Sequence, residues 1–287
     1  MAHAYIRVLG QMSIRVGNRP VPSFPTRSAA HLFAFLLLHR DRWTDRDVLS
    51  GTLWGERTES AARKALRSAL WRIRRTLKEN GVDPDAWFQM DAKRVRFIAD
   101  TELVRVDAHE FEAAARRGAI ESQTILPQKM VDALENALLL YGGDLLPSVF
   151  EEWAFLERER LHLRRIAMLD SLVNHYQAVE AWRTSLYHAQ AIVRADPLRE
   201  PAHRAIMRAY QELGDRPSAI RQHRRLRRIL KEELAVEPMP ETEGLYRWIL
   251  GCGSTESRLP PSPPNTRLPQ PELPHLSSQE HGRLPDR

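Results

Sequence analysis

The chain has 287 residues, 43% of them hydrophobic, and a net charge of +6, which gives enough length and apolar content for one large or two ordinary domains. Its single cysteine, Cys252, excludes an intrachain disulfide and a thiolate metal cluster, and its longest apolar run, "LFAFLLL" at 32–38, falls well short of the roughly 20 residues of a membrane-spanning helix. The charge is uneven: residues 1–107 hold 19 Lys and Arg against 12 Asp and Glu, whereas residues 108–287 hold 24 against 25, the distribution of a two-part protein with one polyanion-binding module.

The opening "MAHAYIRVLG" has neither the apolar segment nor the cleavage site of a signal peptide, so the expectation is a cytoplasmic protein with no membrane partner. "AYIRVLG" and "SIRV" alternate as short strands around turn chemistry in "GNRPVPSFP", predicting a small antiparallel sheet. Pro25, Thr26 and Arg27 open a helix, "RSAAHLFAFLLLHR", with Leu32, Phe35, Leu36 and Leu38 as its buried side. Thr44 and Asp47 read as the cap pair of a second helix ending near Gly55. Thr58 or Ser60 caps a third, "SAARKALRSALWRIRRTLKEN".

At 100° per residue, Ala62, Leu66, Ala69, Leu70, Ile73 and Leu77 of that third helix share one sector. Ser60, Arg63, Lys64, Arg67, Trp71, Arg74 and Lys78 share another, with Ser68 and Arg75 beside it. One face packs, and a different face offers cations. After Gly81, two short strands in "WFQMDAKRVRFIAD" flank a turn at Asp91-Ala92-Lys93, with Lys93, Arg94 and Arg96 around it. Three helices, the third basic, followed by a basic hairpin make a winged helix-turn-helix: helix three enters the major groove and the hairpin rides the adjacent backbone or minor groove. Arg63, Arg67 and Arg74 are the candidates for bidentate guanine contacts, and the other cations for phosphate. Thr26, Arg27 and Thr44, at helix N-termini, complete the candidate DNA-binding set. The bland alternative is a solvated basic helix in a bundle. Trp71 either stacks on a sugar or base or covers the junction with the helical domain.

From Val106 the pattern is nearly all helix, in seven amphipathic segments separated by Gly and Pro signals. "RADPLRE" and "AVEPMPE" each close a helix, 41 residues apart. This predicts tetratricopeptide-like helix pairs, whose stacked surface serves interaction and needs no catalytic residue. Trp54, Trp153, Trp182 and Trp248 are expected at helix–helix contacts, and His162, His175, His188 and His203 as partly exposed helix histidines. Arg221, Arg224, Arg225, Arg227 and Arg228 lie within eight residues. They form either a solvated face balanced by Glu232 and Glu233 or a patch facing an acidic polymerase surface or flanking DNA. Beyond Leu250 the sequence is Pro-rich, and an extended, disordered tail is expected over 251–287. No phosphate-binding Gly loop, Gly-x-Ser-x-Gly or His-Glu-x-x-His occurs, so neither an enzyme nor a cofactor or metal site is expected.

The chain resembles the SARP-type bacterial transcriptional activators, which join an OmpR-type winged helix to a bacterial transcriptional activation domain. The N-terminal likeness rests on "IRVLG", "LLLHRDRWTDRDVLSGTLW" and "SAARKALRSALWRIRRTL". The second rests on "VDAHEFE", "LYGGDLLPSVFEEWAFLERERL" and the long run "DPLREPAHRAIMRAYQELGDRPSAIRQHRRLRRILKEELAVEPMPE". Together these cover about residues 5–250. The wing departs from the family: a Gly-Tyr turn is replaced by Ala92-Lys93-Arg94-Val95. Larger relatives continue into an ATPase segment, and this sequence runs instead into the Pro-rich stretch.

The resemblance implies a DNA-binding domain at 1–106, an activation domain at 107–250 and a tail at 251–287. It further implies a transcription activator that binds direct repeats of double-stranded DNA as a dimer and contacts RNA polymerase holoenzyme. The competing reading is a tetratricopeptide-like adaptor whose basic N-terminal domain binds RNA or an acidic protein.

Overall fold

The computed structural model describes residues 3–120 and 124–251; the Pro-rich stretch expected as a tail lies, from Cys252 onward, outside the described residues. The chain begins with β1 (Ala4–Arg7), β2 (Ser13–Val16) and β3 (Arg19–Val21). β1 and β2, and β2 and β3, pair antiparallel. The β2–β3 turn is the two-residue loop Gly17-Asn18, with Gly17 at φ 56°, the first central position where a II′ hairpin turn needs glycine. The expected antiparallel sheet has one further strand, β7 (Val104–Val106), which pairs parallel with β1 and completes the order β3-β2-β1-β7.

Thr26 caps α1 (Arg27–Leu38), its Oγ1 accepting from the Ala29 N–H. This helix is covered on nearly every side. Phe33 and Leu37 are fully buried alongside the expected Leu32, Phe35 and Leu36, while Leu38 is only partly buried. Phe33 meets Trp87, Phe88 and Phe97 on one side, and Phe35 meets Trp153 edge-on at 5.3 Å on the other.

β4 (Thr44–Asp45), α2 (Arg46–Trp54), α3 (Glu59–Glu79) and α4 (Pro84–Trp87) come next, then the hairpin β5 (Phe88–Met90) and β6 (Arg94–Phe97). The second sheet has the order β4-β6-β5. Thr44 is therefore not a helix cap. Its backbone pairs with Val95 and its side chain is buried; Asp45 occupies the cap position of α2. Thr58, not Ser60, precedes α3, without a side-chain cap bond.

The remainder is α5 (Asp107–Ile120), α6 (Gln128–Leu140), α7 (Glu152–Ala178), α8 (Trp182–Ala195), α9 (Glu200–Glu212), α10 (Arg216–Leu234) and α11 (Pro240–Gly251). From α7 to α11 each helix packs on its neighbour in sequence, as stacked helical pairs do. The architecture is thus a winged helix-turn-helix followed by an all-α, tetratricopeptide-like region. Stacking covers two faces of a helix, and this changes the histidines: His175, His188 and His203 are buried rather than partly exposed. His203 Nε2 lies 3.0 Å from the Pro197 carbonyl and Nδ1 2.8 Å from the Gln222 amide. Burial holds its pKa below the ordinary histidine value. Trp54 and Trp153 are buried as expected, whereas Trp182 and Trp248 are half-buried.

One core cluster runs without a break from Ala4 through the wing helices to Leu172 of α7. Its polar pin is Asp107, fully buried. Its carboxylate accepts from Val8 N (2.9 Å), Leu9 N (3.0 Å) and Ala108 N (2.7 Å). The segment leaving β1 is held from the other side as well: Gly10 N donates to the Asp144 carbonyl and Leu146 N to that of Val8. Across the same junction His31 meets Glu151 at 2.5 Å, and within the helical region Arg160 of α7 pairs with Glu112 of α5.

Candidate nucleic-acid interface

The face assignment of α3 follows its sequence periodicity. Ala62, Leu66, Ala69, Leu70, Ile73 and Leu77 are all buried, joined by Thr76. Ser60, Arg63, Lys64, Arg67, Arg75 and Lys78 are exposed, and Ser68 and Arg74 are half-buried. Trp71 is 57% exposed, so it does not cover the junction with the helical region. Its ring lies 5.2 Å beneath the Arg75 guanidinium.

The cations of α3 are not equivalent. Arg63 is bound by Asp47 of α2 (3.0 Å) and by Glu59 (2.6 Å), and the Asp47 hydrogen bond raises its pKa. Arg74 is held end-on by Asp85 of α4, at 2.8 and 3.1 Å. The same pair pulls the Asp85 carboxyl below its ordinary range. Arg75 pairs with Glu79 at 2.7 Å. Among the described residues Lys64, Arg67 and Lys78 have no ion pair, and with Trp71 they form one stripe at helical spacing. The sequence reading missed Asp47 and Asp85: they approach α3 from other elements, and no local spacing signals it.

The wing is short and braced. Asp91 Oδ1 accepts from the N–H groups of Lys93 and Arg94, and Asp91 Oδ2 from the Arg94 guanidinium. Those bonds, led by the one from Lys93, lower the Asp91 pKa. The Arg94 and Arg96 guanidiniums lie 4.7 and 4.6 Å over the Trp43 ring, and Arg96 also donates to Gln89. The wing is tied to α2 by Arg46 N donating to the Lys93 carbonyl. The Lys93 side chain is exposed and unpaired among the described residues. Arg27 is exposed at the start of α1, but no hydrogen bond or ion pair among the described residues joins it, or Thr26, to α3 or the wing. Thr44, buried in β4, does not present its side chain to a ligand. On α10, Arg227 pairs with Glu237, while Arg224, Arg225 and Arg228 lie along the same helix with Arg221, which donates to Ser218.

No helix among the described residues is long and apolar enough to cross a membrane. A winged helix with a cationic third helix, joined through one core to stacked helix pairs, defines a regulator of the SARP type. Residues 106–250 match the bacterial transcriptional activator domain, and the chain belongs to that family. It is similar to the regulatory protein AfsR of Streptomyces coelicolor, 28% identical over 220 residues. That match covers 76% of this chain but only 21% of AfsR. It is also similar to the transcriptional regulatory protein MoaR1 of Mycobacterium tuberculosis, 27% identical over 249 residues, covering 85% of this chain and 78% of MoaR1. The fold resembles a solved structure of M. tuberculosis EmbR in complex with a low affinity phosphopeptide. The TM-score is 0.71 at 21% identity, over 87% of this chain and 65% of that one. The family is one of transcriptional regulators.

Proposed function

We infer that the chain activates transcription in the cytoplasm by binding short direct repeats in double-stranded DNA near a promoter. Two protomers lie side by side, with α3 in the major groove and the wing on the adjacent backbone. Residues 1–106 read the DNA; residues 107–250 pair the protomers and touch RNA polymerase holoenzyme. The observation that carries this reading is the exposed stripe Lys64, Arg67, Trp71 and Lys78, set on a helix whose opposite face is wholly buried. A helix presented in this way offers base-edge donors and phosphate ligands on one side while the core fixes its orientation.

The exposed apolar side chains of the helical region, among them Phe150 at 87% and Phe155, together with the arginines of α10, supply contact surface for protein partners. The reading is tested by measuring occupancy of one-repeat and two-repeat duplexes alongside transcription in vitro with the full chain. Cooperative filling of two repeats with polymerase-dependent activation supports it; binding without activation removes the activator assignment.

The wing gives a separate expectation. Because Arg94 is already neutralised by Asp91 and stacked on Trp43, Lys93 carries the wing's phosphate contact. Lys93→Ala should weaken binding to all duplexes alike and flatten the slope of log affinity against log salt by about 0.9. Arg94→Ala should do less. A change in base preference with an unchanged salt slope would assign Lys93 to the bases instead.

A further inference from the structure

Among the pinned cations, Arg74 differs in how its partner is held. Asp85 lies in α4, a short turn fixed at both ends. Asp83 accepts from the Asp85 N–H at 3.0 Å, with Pro84 at the start of the turn. At the other end Trp87 is buried edge-on against Phe97 at 5.9 Å. The Trp87 carbonyl also accepts from Ile98 N, just past the last strand of the wing. The core therefore sets where the backbone presents Asp85, whose own side chain is 70% exposed. Asp85 stands beside a surface groove of about 690 Å³ lined by Trp71, Arg74, Lys78 and Gly81.

We propose that Asp85 is a specificity-determining residue of the DNA-reading helix: it presets Arg74 as a reader of base edges and withholds it from phosphate. This rests on α3 being the recognition helix. A guanidinium has five N–H donors. Asp85 takes one from each terminal nitrogen of Arg74, which leaves Nε–H and a neighbouring Nη hydrogen as a second donor pair. That pair matches the O6 and N7 acceptors of guanine in the major groove. A phosphate meeting that same donor pair brings its negative oxygens beside the Asp85 carboxylate, which repels them, whereas a neutral guanine edge carries no such charge. A preset arginine beside a fixed negative charge favours the right base and gains little on random DNA, so discrimination comes from a repulsive element as well as an attractive one. Asp85 acts through Arg74 and is a positioning residue.

The test uses the full chain, wild type and with Asp85→Asn or Asp85→Ala. Binding is measured to the operator recovered by selection from random duplex DNA and to a random-sequence duplex, across a salt series. Affinity for the random duplex should rise roughly three- to tenfold near 0.1 M salt, and its salt slope should steepen by about 0.9, as one phosphate contact is added. Operator affinity should not rise, so the ratio of the two falls. In an Arg74→Ala background, Asp85→Ala should change neither affinity nor slope. Equal shifts on both duplexes, no shift on either, or the same rise without Arg74 would each overturn the proposal; the last would make Asp85 a plain surface charge. A wild-type chain that discriminates operator from random DNA, with a ratio unmoved by Asp85→Asn, defeats this proposal alone. A wild-type chain that selects no duplex defeats the reading of α3 along with it.

Discussion

Asp107→Ala is expected to destabilise the whole chain by about 3–5 kcal/mol, because it leaves three buried N–H donors without an acceptor at roughly 1–3 kcal/mol each. The donors are those of Val8, Leu9 and Ala108. Two of them belong to the segment leaving β1, so the loss falls on the seam between the winged helix and the helical region. Denaturant unfolding checks it: a fall in midpoint of that size with an unchanged slope is the expected result. A loss under about 1 kcal/mol would mean that water replaces the carboxylate.

Asp107 also gives a pH dependence. Burial pushes its pKa above the ordinary 3.8, with the backbone N–H bonds and Arg7 pulling the other way. Between the ordinary value and the raised folded one, the folded state binds more protons than the unfolded state. Stability from this group is therefore greatest in acid and declines as pH rises through that window. Asp107→Asn should abolish this slope. It should still cost stability, because both carboxylate oxygens accept from backbone N–H groups and an amide nitrogen in one position would face a donor.

What could be read from the sequence, and what could not, divides along a physical line. The buried set of α3 was legible because a helix wide open on one side repeats its apolar residues every 3.6 positions, and the intervals from Ala62 to Leu77 keep that period without help from tertiary structure. The hairpin at Asp91-Ala92-Lys93 was legible from its turn. β7 was not: three residues, Val104–Val106, are too short to show alternation, and they are strand only because β1 offers them a parallel edge. Thr44 was misread for a related reason. Its spacing to Asp47 imitates a capping pair, yet the backbone there is claimed by β6. The buried histidines escaped because amphipathic spacing reports one covered face, whereas stacked helices cover two. Within the candidate site, the positions of the cations were readable, but which of them are free was not. Asp47 and Asp85 reach Arg63 and Arg74 only after α2 and α4 are placed.

That distinction ranks the arginines. Arg67 is exposed and, among the described residues, carries no ion pair, so it has no bond to break before meeting a base. Arg67→Ala is expected to cost about 1–3 kcal/mol of specific binding, roughly 5- to 150-fold in affinity, and to relax preference at one base position. Its effect on random duplex should be much smaller. Lys64→Ala should instead weaken all sequences similarly, since a point charge serves phosphate better than a paired base edge. If Arg67→Ala binds the operator as tightly as wild type, α3 is not the reading helix, whatever its charge.

In the proposed function this regulator recognises duplex DNA sequence through α3, two protomers to a pair of direct repeats. The most direct measurement is selection of binding sites from random duplex DNA by the full chain, repeated with Arg67→Ala. Enrichment of two copies of a short motif in the same orientation at fixed spacing, with one position losing its preference in the Arg67→Ala selection, is the expected result. No enrichment over the starting pool, or the same motif with undiminished preference from the Arg67→Ala protein, would contradict it.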